Sequence, residues 1–205
     1  LKKLDTKEKG TQVHYLNSGN RIAVISGSTA SVWDIASSKQ LKSVKLTGDL
    51  TALDVSEFTG QIAVGSSNGT LTILDEELNS IYSFSENKDA ITAITYFPDR
   101  DKLFMGNADG TIDLINVDKQ RLGGSTRMFD SSIGKLLINP KTHTVVAVGN
   151  DDTEYVKFMR TSLEDKGTKF KWSSTPKDNL GLRAIAWADT TESIMYIADH
   201  DNVIR

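Results

Sequence analysis

Ile62-Ala63-Val64-Gly65-Ser66-Ser67-Asn68-Gly69-Thr70-Leu71-Thr72-Ile73-Leu74-Asp75 is answered 41 positions later by Leu103-Phe104-Met105-Gly106-Asn107-Ala108-Asp109-Gly110-Thr111-Ile112-Asp113-Leu114-Ile115-Asn116. Both stretches read as an apolar run, a polar turn ending in Asn-Gly or Asp-Gly, and a second apolar run. Those dipeptides supply the positive φ angles that a two-residue hairpin turn demands. Apolar runs on either side of them make a strong hairpin signal. Its return at a fixed spacing decides the fold, because regular self-similarity marks a repeat architecture.

The unit extends in both directions. Ile22 to Asp34 is a shorter copy ending 41 positions before Asp75; Val146-Ala147-Val148-Gly149 leads through Asp151-Asp152-Thr153 into Tyr155-Val156-Lys157-Phe158. A fifth copy starts at Ile194-Met195-Tyr196-Ile197 and passes through Asp201-Asn202. Each of the last four hairpins follows an alternating strand beginning at Leu50, Ile91, Ile133 or Leu182, with spacings of 41, 42 and 49. Period-two alternation marks a strand with one face more buried. Short strands follow the first two hairpins at Leu41-Lys42-Ser43-Val44 and Ile81-Tyr82-Ser83-Phe84.

Four strands per unit of roughly 40–45 residues is the signature of a propeller blade. The expected fold is all-β, a β-propeller of four-stranded antiparallel blades, with four nearly complete blades and part of a fifth. The units fall at about 11–49, 50–89, 90–131, 132–180 and 181–205. A sandwich offers no reason for the hairpin to return at fixed spacing.

These residues resemble the WD-repeat (WD40) family of β-propellers. Trp33-Asp34 matches the dipeptide that names the family, and Leu74-Asp75, Ile115-Asn116 and Phe158-Met159 hold its place in more degenerate form. Asn68-Gly69-Thr70-Leu71 and Asp109-Gly110-Thr111-Ile112 are similar to the family's Asp-Gly-Thr-Ile turn. The stretches before the first strands, Gly48-Asp49, Lys88-Asp89, Ser131-Ser132 and Asn179-Leu180, lack the family's Gly-His. The resemblance covers about residues 11–205 and implies a ring of about seven blades. The chain is therefore expected to be a fragment of a longer propeller; the alternative is an arc completed by a partner chain.

Composition narrows the function. The 205 residues are 38% hydrophobic and 25% charged, enough apolar material for a core. A formal charge of −3 gives no global basic field for nucleic acid or anionic membrane. There is no apolar run near the ~18–20 residues of a membrane span, so no membrane insertion is expected. Zero Cys excludes thiolate chemistry and a disulfide framework, and leans towards an intracellular setting, cytoplasm or nucleus.

Candidate chemistry is sparse. Asp199-His200-Asp201, Asp151-Asp152 and Asp99-Arg100-Asp101 read as turns, where Asp is favoured, and not as metal sites. His14, His143 and His200 are the three histidines; His14 lies in a first strand and His143 in a turn. Gly123-Gly124-Ser125-Thr126 lacks the Lys of a phosphate loop. No catalytic residue, metal or cofactor is expected. One basic stretch has interleaved aromatics, Lys166-Gly167-Thr168-Lys169-Phe170-Lys171-Trp172. Lys166, Lys169, Lys171 and Trp172 are the candidate contacts to a protein partner or to RNA, against the plainer reading of an outer strand with its lysines in water.

The resemblance implies a noncatalytic scaffold that binds other proteins, several at once, in a multiprotein complex. Two alternatives stand beside it: a propeller subunit of a ribonucleoprotein particle touching RNA through 166–172, and a coat or trafficking adaptor.

Overall fold

The computed structural model describes residues 10–85, 89–99, 101–139, 141 and 144–150, together with the backbone of four strands between 156 and 199. The first sheet consists of β1 (Gly10–Tyr15), β2 (Arg21–Ser26), β3 (Thr29–Asp34) and β4 (Lys39–Lys45). The second holds β5 (Leu50–Val55), β6 (Ile62–Ser66), β7 (Leu71–Leu74) and β8 (Ser80–Phe84). β9 (Ile91–Tyr96), β10 (Lys102–Asn107), β11 (Thr111–Asn116) and β12 (Arg121–Arg127) form the third. The fourth is β13 (Ile133–Ile138), β14 (Thr144–Gly149), β15 (Val156–Thr161) and β16 (Phe170–Ser173). β17 (Leu182–Trp187) and β18 (Met195–Asp199) pair as a two-stranded sheet. Within each sheet the strands follow chain order and every pair is antiparallel.

Burial follows position in the sheet. The middle strands are covered on both faces, so β6 and β7 are buried at every residue and mostly apolar, with Ser66 and Thr72 the polar exceptions. β4 is polar, with six of its seven residues exposed, whereas β8 buries Phe84 at its end. Between the sheets lie three apolar layers. Ile25 and Val32 meet Leu53 and Val64; Leu71 and Ile73 meet Ile91 and Met105; Phe104 and Leu114 meet Ile133 and Val145. The second and third sheets thus hide both faces against their neighbours in the chain, which is how propeller blades stack. β1 neighbours β5, β5 neighbours β9 and β9 neighbours β13, so the first strand of each blade is the innermost.

Two glycines fix how closely the blades approach. A Cβ on Gly65 would stand 2.8 Å from the Cβ of Ile91 in the next blade, and one on Gly106 would stand 2.7 Å from that of Ile133. The Gly at the end of this repeated apolar run therefore admits the first side chain of the following blade.

The hairpin turns differ from the two-residue form expected from Asn-Gly and Asp-Gly. Gly69 N–H donates to Ser66 O at 3.1 Å, and Ser66 N–H to Thr70 O at 3.1 Å, which encloses three residues. Only the glycines, with φ of 80° at Gly69 and 85° at Gly110, are left-handed. Asn68 and Asp109 instead accept the backbone N–H of Thr70 and Thr111 through Oδ1, at 3.1 and 2.9 Å. This is the pattern of a type I turn closed by a left-handed glycine. The first blade does have a two-residue loop, Gly27-Ser28, between the paired Ser26 and Thr29.

A feature the alternation concealed is a bulge near the start of every first strand. The register skips Thr11, Thr51, Thr92, Gly134 and Arg183. The three threonines use the freed geometry alike: each Oγ1–H donates at 3.2 Å to a carbonyl 14 residues on, those of Ile25, Gly65 and Gly106. Thr51 Oγ1 also lies 2.5 Å from Ile91 O of the third blade.

Candidate functional site

The innermost strands converge on a cleft of about 730 Å³. The first two blades supply His14, Asp54, Val55 and Glu57; the third supplies Ile94 to Pro98, and the fourth Lys135 to Ile138. Its walls are mainly apolar, with two basic and two acidic side chains among them. That is the usual make-up of a binding site: apolar area for affinity and a few polar groups for orientation.

His14 and Asp54 form the most organised part of the cleft. His14 Nε2 lies 2.9 Å from Asp54 Oδ1, and His14 Nδ1 is 3.1 Å from Tyr15 O. The second carboxylate oxygen of Asp54 accepts the backbone N–H of Tyr96 at 2.7 Å. One carboxylate therefore ties together strands of three blades. Both imidazole nitrogens face acceptors, a demand that only the doubly protonated ring meets. The hydrogen bond to Asp54 accordingly raises the His14 pKa above its ordinary value, against the opposing effect of burial.

Other side chains brace the same junction. The Gln12 amide donates to Thr51 O at 3.1 Å and accepts Leu53 N–H at 2.8 Å, as a paired strand residue would. Asn17 Nδ2 donates to the carbonyls of Ser56 and Glu57, each at 3.1 Å. Beneath the cleft wall, the Tyr96 hydroxyl is buried without a hydrogen-bond partner among the described residues. Burial pushes its pKa well up, with Asp101 and Asp54 adding to the effect. Backbone groups thus hold two of the charged side chains of the cleft, His14 through Tyr15 O and Asp54 through Tyr96 N–H.

The sequence placed His14 on a first strand but not beside Asp54. A signal was there: the two are 40 residues apart, at equivalent positions of successive units. Of the candidate contacts, Lys166 and Lys169 lie outside the described residues, as do His143, His200 and Asp201. Lys171 and Trp172 fall on β16, the outermost strand of its blade, in register with Arg160 and Met159 of β15. Among the described residues no group of three or more His, Asp or Glu could hold a metal ion. No helix of the described residues is long and apolar enough to cross a membrane.

Four-stranded antiparallel blades stacked in chain order around a cleft of innermost strands define a WD40-like β-propeller. Comparison with solved structures agrees. The chain is similar to one in the crystal structure of a mitotic checkpoint complex, with a TM-score of 0.75 and 18% identity over 92% of this chain and 56% of that one. It is similar also to the structure of U3-55K, with a TM-score of 0.75 and 13% identity over 95% of this chain and 59% of that one. The chain therefore spans less than two thirds of either. At the level of sequence, no family model and no curated protein matches.

Proposed function

We propose that this chain is a noncatalytic propeller scaffold whose central cleft receives a segment of a partner protein, within an assembly of several proteins. The observation that carries this reading is the cleft itself: about 730 Å³, walled by the innermost strands of four blades and held open by bonds between them. Preorganisation of this kind favours binding because little is left to order when a partner arrives. The fold supports the same reading, since a disc of blades presents many loops on a rigid frame. Absence of cysteine favours an intracellular setting.

Selection of peptides from a random display library against the 205-residue chain tests the proposal. Selected peptides should lose affinity when the cleft charges are reversed with Glu57→Lys and Lys135→Glu. Peptides indifferent to both substitutions would place partner binding elsewhere.

RNA contact through Lys166, Lys169, Lys171 and Trp172 is the second reading, supported by the position of Lys171 and Trp172 on an outermost strand. Affinity for single-stranded RNA that falls steeply with salt would favour it; affinity indifferent to salt would remove it.

A further inference from the structure

None of the outermost strands β4, β8 and β12 has a carboxylate, and β4 and β12 carry cations. These are Lys39, Lys42, Lys45, Arg121 and Arg127, in a chain whose formal net charge is −3. Lys42 is paired with Glu77 at 2.8 Å and Arg127 with Asp130 at 3.6 Å. Lys39, Lys45 and Arg121 make no ion pair among the described residues.

Each of these strands also exposes one large aliphatic side chain. Leu41 is 50% exposed, Ile81 45% and Leu122 39%. They lie 40 and 41 residues apart, one per blade. Leu41 and Ile81 are the extra residue of a bulge: Val32 and Trp33 pair with Lys42 and Gln40, and Ile73 and Leu74 with Tyr82 and Ser80. In the third blade the extra residue is Gly123, next to Leu122. A bulge re-aims the side chain at its position, and Leu41 and Ile81 stand exposed there.

Bulges and lysines are what an exposed edge needs to avoid pairing with another copy. Exposed aliphatic groups, at the bulge in β4 and β8 and beside it in β12, work against that purpose. They also sit on a connected rim. Lys42 Nζ reaches the Glu77 carbonyl at 3.3 Å, and the Tyr82 hydroxyl donates to Gln120 O at 2.9 Å. Each contact joins the neighbour of an exposed apolar residue to the turn that leads into the next outer strand.

We propose that this rim is a second docking surface, distinct from the cleft, for an acidic protein segment with aliphatic side chains between its carboxylates. Charge complementarity selects the partner: unpaired cations flank the apolar positions on the first and third blades. A single-stranded nucleic acid is met by aromatic platforms along a basic groove, whereas the apolar groups exposed here are aliphatic. A flat bilayer would touch a convex rim at one blade only, leaving the repeated positions unused.

The test uses the 205-residue chain and four probes in fluorescence anisotropy or flotation: a synthetic peptide alternating glutamate and leucine, poly-glutamate, single-stranded RNA and phosphatidylserine vesicles. The alternating peptide should bind more tightly than poly-glutamate. A triple variant Leu41→Ser, Ile81→Ser, Leu122→Ser should weaken it by about tenfold or more, the scale of losing interface anchors. A second variant, Lys39→Glu, Lys45→Glu, Arg121→Glu, should do the same. Both alter exposed residues, and unchanged thermal midpoints would show that the fold is intact. Failure of the wild-type chain to bind the peptide, or wild-type affinity retained by both variants, overturns the proposal. So does RNA or vesicle binding that these variants abolish while the peptide is ignored. Reversal of the cleft charges at Glu57 and Lys135 should leave peptide binding at the rim unchanged, which separates this surface from the cleft.

Discussion

His14 Nε2 lies 2.9 Å from Asp54 Oδ1 and joins the innermost strands of two blades, while its Nδ1 faces the Tyr15 carbonyl at 3.1 Å. The pairing exists only in the folded chain, and it raises the folded pKa above the unfolded value of about 6.5.

Stability should therefore depend on pH at this residue. The contribution is complete below about pH 6.5 and is lost as pH rises through the folded pKa. Urea unfolding of the native chain and of His14→Gln should differ more at about pH 5.5 than at about pH 8.5. His14 is 42% exposed, so solvent screening keeps the difference below about 1 kcal/mol. A gap that widens with pH would mean that the neutral ring is the bound form.

Gly65 and Ile91 should behave as one contact. Gly65→Ala places a methyl against Ile91 and forces two blades apart, costing about 1–3 kcal/mol. Ile91→Ala alone leaves a cavity and costs about 2–5 kcal/mol. Combined, the two should cost less than their sum, because the smaller side chain makes room for the added methyl. Additive losses in denaturant unfolding would show that the blades are not in contact at this point.

Thr51 and Thr92 occupy the same bulge in successive blades with unequal surroundings. Thr51 Oγ1 lies near carbonyls on two blades, whereas the Thr92 bond to Gly106 O stays within one. Replacement by Val keeps the β-branched shape and removes the hydroxyl. Each should lose about 0.5–1.5 kcal/mol, with Thr51→Val the larger loss, measured by thermal or urea unfolding. Equal effects would mean that the contact to Ile91 adds nothing.

Gly19 and Gly110 separate conformational cost from steric cost. Both have positive φ, 67° and 85°, but a Cβ on Gly19 would meet nothing within 4 Å. On Gly110 it would run into the carbonyls of Phe129 and Ser131, the latter at 2.6 Å. Gly19→Ala should cost about 1–2 kcal/mol for its left-handed backbone alone. Gly110→Ala should cost clearly more, and a pair of equal thermal shifts would contradict the close approach.

Much of the architecture was legible because a propeller writes its repeat into the chain. Ile62 to Asp75 and Leu103 to Asn116 disclose strand, turn and strand, and their shared spacing discloses stacking. The turn itself was less legible. Asn-Gly and Asp-Gly are compatible with both a two-residue and a three-residue loop, and the choice rests on whether Ser66 pairs with Gly69 and Thr70. The bulges at Thr11, Thr51 and Thr92 were hidden for a related reason: a skipped residue leaves the apolar pattern of a short strand almost unchanged.

The cleft was less legible still. His14 and Asp54 are polar residues on separate strands, and nothing within either strand indicates which partner the other blade presents. The exposed Leu41, Ile81 and Leu122 look like ordinary members of short alternating strands, and only the register shows two of them at bulges.

Sequence alone determined that this chain is made of four-stranded modules, since hydrophobic alternation, glycine turns and spacing are local properties that each segment carries by itself. Tertiary structure decided which side chains meet across blades, how His14 and Asp54 come to share a proton-bearing contact, and which apolar residues of the rim stay in water. Those are set by the angle and distance between stacked sheets, and these depend on every packed layer at once.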